Sequence, residues 1–321
     1  MTRQHSPKHH DGPLFRNPDL DGLNKSLLDV FKMRWYSNWA KHEQLAHEVP
    51  IVETNLEAIH APTKHAQITW IGHSTFLIQI DGKNILTDPV FSQRASPIRF
   101  AGPKRYTKPG IALTDLPKID YVVLSHNHYD HLDLETARAL GNETLWLVPL
   151  GNAVTLNTVN ITNVVELDWW DEYAVGPLLF VCTPAQHWSA RSLFDRCRSL
   201  WSGWAITHGE KSILFAGDTG YNPTIFKEIG SRFGPFELAL IPIGAYEPRW
   251  FMKPMHINPT EAVQLHMELR AKRSFAMHWG TFPLTAEAPG DPPRHLAQAR
   301  AAKNLPDQEF ETLAIGETRH F

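Results

Sequence analysis

Apolar and polar positions change rhythm near residue 67. Ahead of that point Leu27, Phe31, Trp35 and Trp39 recur every four residues, with Leu28 beside them. This stripe predicts an amphipathic helix over about residues 24–47. Beyond it, short apolar runs follow one another between turn signals. Ile68 to Ile71, Thr75 to Ile80 and Asn84 to Thr87 read as strands, the last two joined by the hairpin signal Asp81-Gly82. Further strands are expected at 121–125, 145–149, 163–167, 178–183, 203–207, 212–216, 237–242 and 274–278, and helices at 133–140, 222–230, 259–270 and 295–303. Strands first, then strands alternating with helices, predict a layered α/β protein. The expected division is one domain over 67–321 behind an N-terminal extension over 1–66, of which residues 1–20 read as flexible.

Composition narrows the class. A chain of 321 residues, 42% hydrophobic and 20% charged, is large enough for a single α/β domain with a sizeable core. Its net charge of −3 and lack of a basic run give no reason to expect nucleic acid. Cys182 and Cys197 are too few for a secreted disulfide framework. Residues 1–13 are polar and His-rich, without the apolar core of a signal peptide, and no apolar window approaches the ~18 residues of a membrane span. The expected location is the cytoplasm, or at most the inner face of a membrane. The stripe at 24–47 fits packing on the main domain. With Lys32, Arg34 and Lys41 nearby, its second reading is a surface lying at a lipid interface.

The chemistry concentrates at Ser125-His126-Asn127-His128-Tyr129-Asp130-His131, directly after the apolar run Tyr121-Val122-Val123-Leu124. A buried strand ending in three imidazoles and a carboxylate delivers metal ligands to one point. Nitrogen and oxygen donors suit zinc, iron and manganese alike. Four more apolar strands end in the same way, at Asp88, His187, Asp218 and His278. Sheet proteins of this type place sites where strand ends meet loops, so these residues are expected to converge.

The pattern resembles the metallo-β-lactamase superfamily, whose H-x-H-x-D-H signature reads here as His126, His128, Asp130 and His131. The resemblance implies an αββα sandwich holding two metal ions. His126, His128 and His187 would hold one, Asp130, His131 and His278 the other, with Asp218 bridging and Asp88 orienting a ligand histidine. Asp168-Trp169-Trp170, Thr183-Pro184-Ala185-Gln186-His187-Trp188, Ala216-Gly217-Asp218-Thr219-Gly220-Tyr221 and His278-Trp279-Gly280-Thr281-Phe282 narrow it further. Together with Ile241 to Met252, they resemble the N-acylphosphatidylethanolamine-hydrolysing phospholipase D family from about residue 68 onward, the first 65 residues matching poorly. That resemblance implies a phosphodiesterase with two Zn2+ that releases phosphatidic acid and an N-acylethanolamine. A homodimer and peripheral membrane contact come with it as expectations. The alternative is a dinuclear-metal hydrolase of a lactone, cyclic phosphate or other small ester.

Two ions about 3.5–4 Å apart can generate a bridging hydroxide and clamp an in-line phosphoryl displacement. The hydroxide would be the nucleophile, with Asp130 and Asp218 positioning it and Asp130 accepting its proton. There is no G-x-S-x-G motif to suggest a serine nucleophile. His256 is expected to contact the substrate phosphate or to donate a proton to the leaving alcohol. Its other reading is a histidine preceding the helix start at Asn258-Pro259. Arg249 is a candidate for an anionic headgroup, and Trp250, Phe251 and Met252 for an acyl groove. The competing reading is a core loop with a Glu247–Arg249 contact.

Overall fold

The computed structural model describes residues 7–18, 20, 28–29, 32–33, 39–63 and 65–321. Strands apolar on both faces need cover on both sides, and the chain supplies it in layers. One seven-stranded sheet runs β16 (Thr318–His320), β3 (Gln67–Gly72), β4 (Thr75–Ile80), β5 (Lys83–Thr87), β6 (Tyr121–Val123), β7 (Leu145–Pro149) and β8 (Val164–Leu167). The other runs β15 (Phe310–Glu311), β14 (Arg273–Met277), β13 (Leu238–Pro242), β12 (Lys211–Phe215), β11 (Gly203–His208), β10 (Leu178–Thr183) and β9 (Glu172–Val175).

Side chains alternate across each strand. Phe76, Ile78, Val123 and Leu147 therefore face inward to meet Phe180, Trp204, Ile213 and Phe215 in one core between the sheets. Leu77, Leu86, Val122 and Trp146 face outward and pack with Ile59, Ala137 and Leu156 of the helices Leu56–His60, Leu134–Leu140 and Ala153–Asn157. The helices Pro223–Phe233, Pro259–Leu269 and Asp291–Lys303 contribute Phe226, Leu265 and Leu296 over the second sheet. This is the αββα order expected. A large side chain fully buried in these layers contributes about 1.5–3 kcal/mol.

Direction matters more to function than layering. β3 and β5 both run antiparallel to β4, while β5 pairs parallel with β6. In the second sheet β10 and β12 flank β11 antiparallel, and β12, β13 and β14 are parallel. Thus β3, β5 and β6 of one sheet share a direction, as do β10, β12 and β14 of the other. Their C-terminal ends, which carry the candidate ligands, come out at one edge of the sandwich. There the sheets touch: Trp204 Nε1 donates to Leu124 O at 2.8 Å and Ser202 N to Ser125 O at 2.9 Å. Gly217, at φ +61°, leaves no room for a side chain, since a Cβ would stand 2.5 Å from Ser202 O and 2.9 Å from Ser125 Cβ.

Two features depart from the sequence expectations, and a third lies largely outside the described residues. Residues 9–17, expected to be flexible, form a docked hairpin of β1 (His10–Asp11) and β2 (Leu14–Phe15), with His9 and Asn17 buried. Of the stripe at 24–47, Leu27, Phe31, Arg34 and Trp35 lie outside the described residues. Its described part includes the helix Trp39–Gln44, and Met33 packs against Ala245, Phe251 and Met252. The edge strands β9, β15 and β16 were not expected. No helix among the described residues is long and apolar enough to cross a membrane.

Candidate metal centre

The structure brings all seven predicted ligands together. His126 Nε2 lies 2.8 Å from His128 Nδ1, which lies 3.3 Å from His187 Nε2. Next to this trio, Asp130 Oδ2 is 3.3 Å from both His131 Nε2 and His278 Nε2. Asp218 Oδ2 faces both groups, at 3.1 Å from His131 Nε2 and from His278 Nε2 and 3.8 Å from His187 Nε2. Ligand atoms held tetrahedrally at about 2.0–2.1 Å from Zn2+ stand about 3.3 Å apart, so this spacing is that of donors around shared cations.

Hydrogen bonding behind the ligands fixes which nitrogen faces inward. His131 Nδ1–H donates to Asp88 Oδ2 at 2.6 Å, and His187 Nδ1–H to Met255 O at 2.9 Å. Asp88 also accepts from Ser125 N and from Ser125 Oγ, and that hydroxyl accepts from His126 Nδ1–H at 2.9 Å. In each of these three rings the nitrogen left facing the centre is therefore Nε2, the one available to a cation. The fit to cations has a second sign. His128 Nε2, His131 Nε2, His278 Nε2 and Asp218 Oδ1 are buried without a hydrogen-bond partner, a costly state for polar atoms unless an ion satisfies them.

Electrostatics agree. Burial lowers His128 to about 3, His187 to about 4 and His126 well below the usual histidine range, so these rings are neutral. Burial also opposes charge on His278 and His131, but Asp218 and Asp130 outweigh it, raising His278 to about 9 and His131 well above its ordinary value. Burial disfavours charge on Asp130 and Asp218 as well, yet His131 and its neighbours hold both carboxyls well below their usual range. Two buried carboxylates held ionised beside neutral imidazoles make a donor set that suits a metal ion.

The sequence reading missed His73. Its Nε2 lies 3.1 Å from Asp130 Oδ2, its backbone N–H donates to Thr281 Oγ1 at 2.8 Å, and its carbonyl accepts from His278 N at 3.1 Å. The signal was present, because His73 directly follows another apolar strand, Gln67–Gly72. His73, Asp88 and His278 have φ of 53°, 33° and 61°, a left-handed conformation that is uncommon outside glycine and gathers at functional sites. Also missed was Arg191, whose guanidinium donates to Asn127 O and Leu132 O at 2.8 Å and lies 4.0 Å over the Tyr129 ring. It clamps the loop that carries His128, Asp130 and His131.

The other candidates divide. His256 stands at the rim, with Nδ1 3.8 Å from Asp218 Oδ2 and its ring 5.0 Å from that of His187. Arg249 does not offer a free guanidinium. It is spent on Glu261 Oε2 at 2.8 Å and His256 O at 2.9 Å, because the Asn258–Glu261 capping box brings Glu261 beside it. Glu247 Oε2 meets the Arg249 backbone N–H, not its side chain. Phe251 and Met252 are buried against Ala245, while Trp250 is half-exposed beneath Lys32 Nζ at 5.2 Å. Next to the ligand loop lies a cavity of about 510 Å3 whose lining includes Tyr129, Arg191, Arg94, Ile98 and Leu134.

Two stacked sheets with histidines and aspartates gathered at one edge define a metal-dependent hydrolase of the beta-lactamase superfamily, and residues 83–279 match the beta-lactamase superfamily domain. More particularly, the chain belongs to the family of its N-acyl-phosphatidylethanolamine-hydrolyzing phospholipase D relatives. The Caenorhabditis elegans enzyme 1 of that name is 40% identical over 332 residues, covering 96% of this chain and 92% of the relative. The mitochondrial Saccharomyces cerevisiae enzyme is 38% identical over 287 residues, covering 84% of this chain and 61% of the relative. The worm match takes in most of the first 65 residues, which the sequence analysis set outside the likeness. Among solved structures, an isothiocyanate hydrolase from Delia radicum gut bacteria shares the fold, with a TM-score of 0.66 at 23% identity over 79% of this chain and 99% of that one.

Proposed function

We propose that this protein is a dinuclear-metal phosphodiesterase that cleaves N-acylphosphatidylethanolamine or a closely related glycerophospholipid into phosphatidic acid and an N-acylethanolamine. The observation that carries this reading is Asp218 Oδ2 standing within 3.1 Å of His131 and His278 and facing His187, in a chain whose relatives bear that activity in their names. His126, His128 and His187 would hold one ion, Asp130, His131 and His278 the other, with Asp218 between them. Zn2+, Fe or Mn held by these residues would lower the pKa of water and offset charge building on phosphorus.

The chain's own groups do the rest. Asp130, held as a carboxylate by surrounding imidazoles, is a better fixed anion than proton acceptor. His256 is kept neutral by burial, so its part is hydrogen-bond donation to a phosphoryl or leaving oxygen rather than delivery of a stored proton. The cavity beside Tyr129 and Arg191 would receive the flanking part of the lipid.

Purified protein given N-acylphosphatidylethanolamine, a short-chain phosphodiester and a lactone should release N-acylethanolamine from the first. Turnover confined to the small substrates would overturn the lipid reading and leave the metal reading standing. His256→Ala should lower kcat about 10²–10³-fold, the cost of one transition-state donor, with metal content unchanged. A parallel loss of metal would make His256 a ligand instead.

A further inference from the structure

Among the described residues, His9, His10 and Asp168 make a group of metal-ligating side chains away from the catalytic edge, their ligand atoms within 4.8 Å of one another. Neighbours on an extended strand ordinarily point to opposite faces, yet here both rings reach one carboxylate. His9 Nε2 is 2.6 Å from Asp168 Oδ1, and His10 Nε2 is 2.8 Å from Oδ2. The rings are fixed from behind. His9 stacks on Trp169 at 4.2 Å and 29°, and His10 meets the edge of Phe15 at 5.1 Å. Burial works against charge on Asp168, but hydrogen bonds from His9, the Trp169 N–H and His10 prevail and keep it a carboxylate. One side stays open, with the His10 and Asp168 side chains 25% and 20% exposed.

We propose that His9, His10 and Asp168 form a separate cation site that takes a divalent transition-metal ion such as Zn2+ through two imidazole nitrogens and a carboxylate. Two nitrogen donors select against Mg2+ and Ca2+, which prefer oxygen, and the open side leaves room for water as a further ligand. The ion would fasten an N-terminal strap that reaches the catalytic edge. Phe15 N–H donates to Cys197 O at 2.8 Å, and the buried Asn17 donates from Nδ2 to the carbonyl of His187 at 2.8 Å. A cation at one end of the strap thereby stiffens the backbone of a catalytic ligand at the other.

The test is to strip the full chain of metal and titrate it with Co2+, counting equivalents by visible absorption and elemental analysis. The wild type should take one equivalent more than His10→Gln, and Asp168→Asn should match His10→Gln. Hydrogen exchange over residues 9–17 should slow on adding Zn2+ to the wild type and not to either variant. Equal Co2+ uptake by wild type and variants would overturn the proposal and leave His9 and His10 as a hydrogen-bonded latch on Asp168. Asp218→Ala separates the two metal readings, because it should lose catalytic-site cobalt while keeping the extra equivalent.

Discussion

Asp218→Ala is expected to lose bound metal and turnover together, with turnover falling by more than ~100-fold. The magnitude has a lower bound in groups that merely orient ligands, whose removal costs about 10–100-fold. Asp218 stands closer to the chemistry. Its Oδ2 is the atom that faces His131, His278 and His187 at once. Without it the two ligand groups lose their shared anion. Folding should survive, since Asp218 Oδ1 makes no hydrogen bond and the loop is held by its neighbours. Gln186 N–H, for example, donates to Thr219 Oγ1 at 2.9 Å. Elemental analysis and turnover of the same sample check the prediction. Unchanged activity at full metal occupancy would remove Asp218 from the bridging position.

How far the sequence reached follows from what each interaction needs. Central strands declare themselves because burial on both faces demands a continuous apolar run, as in Val122 to Leu124. Edge strands carry no such demand. Thr318–His320 pairs with β3 through its backbone and leaves polar side chains at the sheet's margin, so nothing in Thr-Arg-His announces a strand. The candidate ligands were legible because they follow apolar strands, in the loops after β6, β10, β12 and β14. His73 obeys the same rule, but it sits in the tight turn between β3 and β4 and reads as part of that turn.

Contacts made across the fold were not legible. Asn17 reaches His187 over 170 residues, and Arg191 reaches Asn127 over 64, both by bonding backbone carbonyls that every residue possesses. Arg249 misled for a related reason. A cation among aromatic residues suggests an anionic ligand, and its real partner Glu261 is delivered by a helix cap twelve positions on.

Asp88→Asn separates orientation from ligation, and it should weaken metal binding by about 10–100-fold. The Asp88 carboxylate accepts three hydrogen bonds, from Ser125 N at 2.6 Å, Ser125 Oγ at 2.5 Å and His131 Nδ1 at 2.6 Å. An asparagine amide has one oxygen and one NH2 group. If its oxygen keeps Ser125 N, its NH2 confronts the His131 Nδ1–H and the Ser125 hydroxyl, donor against donor. The ring can relieve this only by moving its proton to Nε2, the atom that faces Asp130 and Asp218, which removes the inward lone pair. The metal-free protein should also lose about 1–3 kcal/mol, the penalty for a buried group left unsatisfied. Backbone strain is not the cause, because residue 88 has φ 33° and asparagine tolerates that region as readily as aspartate. Alanine would not, so Asp88→Ala mixes the two effects. Competition against a chelator and thermal unfolding of the metal-free variant measure the two terms separately. Metal affinity equal to wild type would show that the hydrogen bond to Asp88 does not set the His131 tautomer, and the inward lone pair would need another cause.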